Sequence, residues 1–168
     1  MLAYAFLRTG GIAPFTEVRC PRPQGDDPGE WFEVGRVGSR GGIGACAAEH
    51  LPYWFQDELW EIELDGDVQQ IGHKLTARRA RLVRRVEAWN PEVARSFSLA
   101  CADRAAAIAE GAPQVADFAA DAAAIAAGGR AAVTGYIVSR AAELAGGVEA
   151  YEEERATQAA WLADGLGL

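Results

Sequence analysis

The first half of the chain contains short runs in which apolar and polar residues alternate. Residues 2–8 alternate weakly, which is typical of a first strand. The clearest alternation covers residues 58–64, where Trp60, Ile62 and Leu64 fall on one face of a strand. We expect this face to be buried in the core of a small sheet.

Further strands and turns are predicted around the clearest strand. The additional strands cover residues 31–34, 43–46 and 81–87. Asp65-Gly66 is a strong turn signal, and it predicts a hairpin from strand 58–64 into residues 68–76. Residues 47–57 predict a helical turn that is broken at Pro52. Glycine and proline make residues 9–30 and 35–42 loops.

A helical pattern begins at Asn90-Pro91 and continues through the rest of the chain. Asparagine is a preferred N-cap, and proline suits the first helical position. Apolar residues then recur at helical spacing in four segments. The segments are separated at Gly111/Pro113, Gly128-Gly129 and Gly146-Gly147. Short breaks of this kind are typical of an antiparallel bundle.

The fold class that follows is α+β. We expect a small antiparallel β-sheet in residues 1–89, followed by an alanine-rich four-helix bundle in residues 90–168. A chain of 168 residues, half of them hydrophobic, is long enough for the two halves to form one compact unit.

The charge balance disfavours a nucleic-acid partner. The net charge is −8, and a chain this acidic repels phosphate backbones at long range. The densest basic cluster comprises Arg78, Arg79, Arg81, Arg84 and Arg85. It has two interpretations: an anion-binding patch, or a strand face that forms ion pairs with Glu61 and Glu63. The excess of acidic residues favours the ion pairs.

The cysteines and histidines do not predict a catalytic or metal site. Three cysteines without a CxxC pair indicate reduced thiols and a cytoplasmic location. Cys46 and His50 are spaced C-x3-H, and a structural zinc site would need Cys20 and His73 from distant segments. We therefore expect no metal, no cofactor and no catalytic residue. No apolar run reaches the ~18 residues of a membrane span, so a membrane partner is not expected.

Two arginines of the helical half lie on or beside apolar faces. Arg104 and Arg140 would each need a carboxylate if buried. The candidates are Asp121, Glu143, Glu153 and Glu154. One interpretation is an internal salt-bridge network between helices. The other is a polar pocket formed by Arg104, Tyr136 and Arg140, since bundles commonly bind ligands between helices.

The first half contributes two more candidate binding residues. Trp54 follows a predicted loop, and surface tryptophans are typical binding anchors. Glu61 lies on the strand face opposite the predicted core face. The candidate binding residues are therefore Arg104, Tyr136, Arg140, Trp54 and Glu61.

A series of short segments follows in order along the first half: YAFL at 4–7, PFT at 14–16, Trp31, GIGAC at 42–46, LPYW at 51–54 and ELWEIELDG at 58–66. This order resembles a small β domain of uncharacterised bacterial and phage proteins. That domain carries G-x-H-x-C where this chain has its 42–46 segment, and Gly44 replaces the histidine. The resemblance implies that any chemistry of that histidine is missing here.

The second half is rich in alanine from ACADRA at 100–105 to WLAD at 161–164, and it carries a short C-A-x-R-A signature at 101–105. In this composition and signature it is similar to the alanine-rich helical regions of proteins inferred to be immunity proteins of bacterial toxin systems. Such proteins are inferred to bind and block a partner. The resemblance implies a non-enzymatic accessory or immunity-like factor, and the acidic charge favours a basic protein partner.

Two alternative functions stay open at the level of the sequence. One is a cofactor-free enzyme or small-molecule-binding protein that uses the interhelical pocket. The other is a structural homo-oligomer with alanine-rich helices at its interface.

Overall fold

The computed structural model describes residues 1–14, 16–25, 27–33 and 44–168. The chain forms two compact units, Met1–Trp89 and Asn90–Leu168. The predicted loop at 35–42, together with Val34 and Ile43 of two predicted strands, lies outside the described residues.

A four-stranded antiparallel sheet is the framework of the first unit. Its strands are β1 (Leu2–Leu7), β2 (Phe32–Glu33), β3 (Glu58–Asp65) and β6 (Arg79–Arg85), in the order β1-β3-β6-β2. One face of β3 presents Trp60, Ile62 and Leu64 to a buried cluster that also holds Leu7 and Leu82. This confirms the predicted core face.

The prediction that β3 forms a hairpin with residues 68–76 is wrong. β4 (Gln69–Ile71) pairs with β5 (Lys74–Thr76), and the two form a separate two-stranded sheet that does not include β3. The partner of β3 is β6, which sets Leu82 opposite Ile62 and Ala80 opposite Leu64. β4 is exposed along its whole length, so it offers no apolar face to the core side of β3.

The segment before β3 also differs from the prediction. Ala48–Tyr53 is a 3-10 helix that contains Pro52 rather than ending there. Hydrogen bonds from His50 N to Ala47 O and from Trp54 N to Leu51 O hold the turns on both sides of the proline. A proline costs little here, because a short 3-10 turn has few backbone bonds to lose.

The strand predicted at 43–46 is reduced to two isolated bridges. Ala45 pairs with Leu75, and Cys46 pairs with Tyr4 on β1. The bridges attach the β4–β5 hairpin on one side and cover part of the outer edge of β1 on the other.

The second unit contains four α-helices, as predicted, and a 3-10 turn at Pro113–Val115 precedes the second of them. They are α1 (Pro91–Gly111), α2 (Ala116–Ala126), α3 (Ala131–Gly146) and α4 (Val148–Leu166). Asn90 caps α1: its Oδ1 accepts hydrogen bonds from the backbone N–H groups of Glu92 and Val93, both at 3.0 Å. A sheet in one unit and four helices in the other confirm the α+β class.

A glycine inside α3 allows its neighbours to pack closely. A Cβ at Gly135 would lie 3.0 Å from Oε1 of Gln158 on α4 and 3.3 Å from Cε1 of Phe97 on α1. The helix propensity lost at this glycine is offset by close packing of three helices. Among the helices that the structure describes, none combines the length and apolar character needed to cross a bilayer.

Candidate binding site

The five arginines on and beside β6 are held by carboxylates. The pairs are Arg78–Asp67, Arg79–Asp65, Arg81–Glu63, Arg84–Glu61 and Arg85–Glu58. This confirms the cross-strand ion pairs expected for Glu61 and Glu63. Exposed pairs contribute little stability one by one, but together they neutralise the cluster. The cluster therefore offers no net positive field to a phosphate backbone.

Glu61 is part of this row of ion pairs. It is only 8% exposed, and its carboxylate accepts hydrogen bonds from the Arg84 guanidinium. Tyr4 lies opposite Glu61 on β1. Burial raises the pKa of the Tyr4 hydroxyl, and the charge of Glu61 raises it further.

Trp54 directly follows the 3-10 helix and lies next to a cluster of aromatic rings. Its indole N–H donates to the carbonyl oxygen of His73 at 3.1 Å. The His73 ring stacks on Tyr53 with centroids 3.9 Å apart, and the His50 ring lies 4.8 Å from His73. Tertiary packing thus brings together the chain's two histidines, which lie 23 residues apart in the sequence.

The three cysteines are buried free thiols. Burial raises the pKa of Cys20 to about 11 and that of Cys46 to about 12. Burial likewise raises the pKa of Cys101 to about 12. A cysteine nucleophile must be a thiolate near neutral pH, so these thiols are poor nucleophiles. In the described part of the chain, no group of three or more His, Cys, Asp or Glu side chains is placed to hold a metal ion.

The buried thiols lead to a prediction about alkylation. At pH 8, iodoacetamide should modify the folded protein at least about a hundredfold more slowly than the same protein in denaturant, because thiolate is scarce and access is blocked. Intact-mass spectrometry over time measures the rates. Fast modification of any cysteine in the folded protein would show that its thiol is exposed or activated.

Glu58 is a buried carboxylate of the first unit with several hydrogen-bond donors, and sequence reasoning missed it. The residue is 5% exposed, and its carboxylate accepts hydrogen bonds from the backbone N–H groups of Gly10 (3.1 Å) and Gly11 (3.2 Å). Arg22 donates at 3.1 Å and the Trp60 indole at 3.0 Å. Gly10 and Gly11 have φ values of 92° and 72°, which suit glycine and present both N–H groups to one carboxylate.

The charge of Glu58 is stabilised by these donors. Burial alone would raise its pKa, but the bonds from Gly10 and Trp60 and the charges of Arg22 and Arg85 outweigh burial and lower it. The carboxylate is therefore ionised and fully occupied. It serves as a structural anchor for the 9–30 loop.

A second polar network lies inside the helical unit. The Arg104 guanidinium on α1 binds the carboxylate of Glu154 on α4, with Nη2 to Oε1 at 2.9 Å. Glu154 is 7% exposed. Burial disfavours the charge on Arg104, but the hydrogen bonds and charge of Glu154 outweigh it and raise the pKa of the guanidinium. Glu154 is one of the partners that the sequence predicted.

The network continues through side chains that sequence reasoning did not single out. Nε2 of the fully buried Gln158 lies 2.8 Å from Oε1 of Glu154 and 2.9 Å from Oγ of Ser139. Nη1 of Arg155 donates to Oε1 of Gln158 at 3.1 Å. Three glutamates precede Arg155 in the sequence, and this local pattern is typical of a surface residue. In the structure, however, Arg155 is only 5% exposed.

The structure separates the remaining candidates from Arg104. Arg140 pairs with Glu143, three residues further along α3. Tyr136 is 54% exposed. Ala142 is on the side of α3 that faces Glu154, the partner of Arg104. Arg140 lies two residues before Ala142, which places it on the opposite side of α3. Tyr136 and Arg140 are four residues apart and share one side of α3, whereas Arg104 binds Glu154 on α4. The structure therefore does not bring Arg104 together with the other two candidates.

A groove lies between α1, α3 and α4, over the Arg104–Glu154 pair. Its volume is about 500 Å³. It is lined by Ala107, Ile108, Gly111, Ala112, Ala142, Ala145, Gly146, Ala150, Glu153, Glu154 and Thr157. Small side chains therefore form most of its walls, and carboxylates lie on the α4 side. We call this feature the α1/α3/α4 groove.

Comparison of the chain with protein-family models, with curated proteins and with solved structures finds no match. The two family resemblances seen in the sequence therefore stay predictions.

Proposed function

We propose that this protein is a non-enzymatic binding protein of the bacterial cytoplasm, an accessory or immunity-like factor that binds a basic protein partner through its helical unit. The observation that carries the proposal is the charge of that unit. Residues 90–168 contain eleven carboxylates and five arginines, so they hold six of the eight net negative charges.

Among the exposed side chains of the helical unit, the excess of carboxylates over arginines is proportionally larger than in this count. Arg104 and Arg140 are engaged by Glu154 and Glu143, and Arg155 is buried. Only Arg95 and Arg130 remain as exposed basic residues of this fully described unit. An acidic surface of this kind accelerates association with a basic partner and repels acidic ones.

Two further features support the proposal. The buried, protonated cysteines fit a protein that does not use thiol chemistry, and free thiols fit a reducing compartment. The neutralised arginine cluster on β6 supports a protein partner over a nucleic acid.

Native mass spectrometry of the protein purified gently from its own host tests the proposal. We expect a co-purifying protein of basic isoelectric point at near-stoichiometric amount. Its complex should weaken at least about tenfold between 50 mM and 500 mM salt, because exposed charges are screened beyond a Debye length. A bare monomer, a homo-oligomer, or a partner whose binding ignores salt would contradict it.

A further inference from the structure

The α1/α3/α4 groove has an apolar floor and negatively charged side chains on its α4 side. Its floor is formed by Ile108, Ala112 and Ala142, which are buried or half-buried. Glu153 is exposed at its α4 side, and Glu154 lies below it in the pair with Arg104. A ligand that fills the groove would therefore meet methyl groups first and a carboxylate at the rim.

Two helix ends add to the negative potential. α1 ends at Gly111 and α3 ends at Gly146, and both glycines line the groove. A helix C-terminus carries about half a negative elementary charge on its unpaired carbonyl groups. The last turns of α1 and α3, both fully described, contain no basic side chain that would neutralise it.

One positive helix end lies close to the same groove. α4 begins at Val148, and Ala150 in its first turn is a lining residue. The exposed carboxylates of Glu149, Glu152 and Glu153 follow within its first two turns, where they offset the positive end. The balance at the groove is negative.

We infer that the α1/α3/α4 groove binds a segment of the basic protein partner in which a lysine or arginine is flanked by apolar side chains. The long aliphatic stem of such a residue fits the apolar floor while its charged end reaches the carboxylate rim. The floor formed by Ile108, Ala112 and Ala142 also offers apolar surface to the side chains that flank this residue, so a peptide segment fits better than a small free cation.

This inference rests on the proposed function, and a defined probe tests it separately. The probe is the peptide acetyl-Ala-Leu-Lys-Ala-amide, and its neutral match replaces lysine with norleucine. Titration into the ¹⁵N-labelled full-length protein is followed by amide chemical shifts. We expect shifts at Gly111, Ala145, Gly146 and Ala150, with the lysine peptide binding about fivefold more tightly than the norleucine peptide, the range of one exposed charge pair.

Two variants and their matched controls define the site. Ala145→Leu fills the groove from an exposed position and should weaken the lysine peptide at least about tenfold. Glu153→Gln should weaken it about two- to fivefold without affecting the norleucine peptide. Ala124→Leu and Asp121→Asn make the same chemical changes at exposed positions on α2 and should have no effect.

Several outcomes would overturn the groove inference. They are the absence of shifts at the groove, equal affinity of both peptides, equal effects of the α2 controls, and tighter binding of spermidine than of the lysine peptide. The last result would assign the groove to a free polyamine. If native mass spectrometry finds a basic partner whose affinity is unchanged by Ala145→Leu, the groove inference fails while the proposed function stands.

Discussion

Replacing Arg104 with methionine should lower the free energy of unfolding by about 3 kcal/mol, because it leaves a buried carboxylate without its cation. Glu154 is 7% exposed, and its remaining described hydrogen-bond donor is Nε2 of Gln158. Arg104 keeps a quarter of its side chain in solvent, so we expect the lower end of the range for a broken buried pair. Urea denaturation followed by circular dichroism of the helices measures the change.

The double variant separates the ion pair from simple loss of packing. Adding Glu154→Met to Arg104→Met removes the orphaned charge, and we expect it to recover at least about 1 kcal/mol. Arg95→Met removes an exposed arginine from the same helix and should change stability by less than about 0.5 kcal/mol. If Arg104→Met were as mild as Arg95→Met, the pair would not be a main link between α1 and α4.

Replacing Glu58 with glutamine should destabilise the first unit by about 3 kcal/mol at pH 7. The carboxylate accepts from Gly10, Gly11, Arg22 and Trp60. Glutamine is nearly isosteric, but its NH₂ group would face N–H donors, and hydrogen bonds to a charged acceptor contribute about 1.5–3 kcal/mol each. Urea denaturation followed by tryptophan fluorescence measures the change, because four of the chain's five tryptophans lie in the first unit.

The contribution of Glu58 to the free energy of unfolding should depend on pH. Its pKa in the folded protein is lowered, so its contribution is complete above the unfolded value of about 4.3 and is lost as the pH falls through the folded value. The stability difference between the native protein and Glu58→Gln should therefore be largest near pH 7 and shrink below about pH 4. A difference that grew on acidification would contradict this assignment.

A matched variant distinguishes the anchor from an ordinary ion pair. Glu63 lies on the same strand and pairs with Arg81, but 36% of its side chain is exposed. Glu63→Gln should cost less than about 1 kcal/mol. Equal costs at the two positions would show that the buried donors around Glu58 contribute no more than a surface pair.

The helical half was predictable because its signals are local. Asn90 and Pro91 mark the start of α1, and paired glycines mark the ends of α2 and α3. Capping, propensity and a period of 3.6 residues each act within a few positions of the chain. The face of β3 was predictable for the same reason, since alternation along one strand decides which side chains share a face.

Strand pairing was not predictable, because it depends on residues distant in sequence. Asp65-Gly66 indicated a hairpin, yet β3 pairs with β6 across the intervening β4–β5 hairpin. β6 pairs with β3 because its apolar residues Ala80 and Leu82 complete the core that the two strands share. A local turn signal carries no information about that choice.

The candidate sites divide in the same way. The sequence by itself determined the α+β class, the four helices, the excess of acid and the need of Arg104 for a carboxylate. Only the tertiary structure selected Glu154 as that carboxylate, buried Arg155 and Gln158 beside it, gathered four donors around Glu58 and opened the α1/α3/α4 groove. Each of these features joins segments tens of residues apart, and such contacts are fixed by the packing of whole elements rather than by any local pattern.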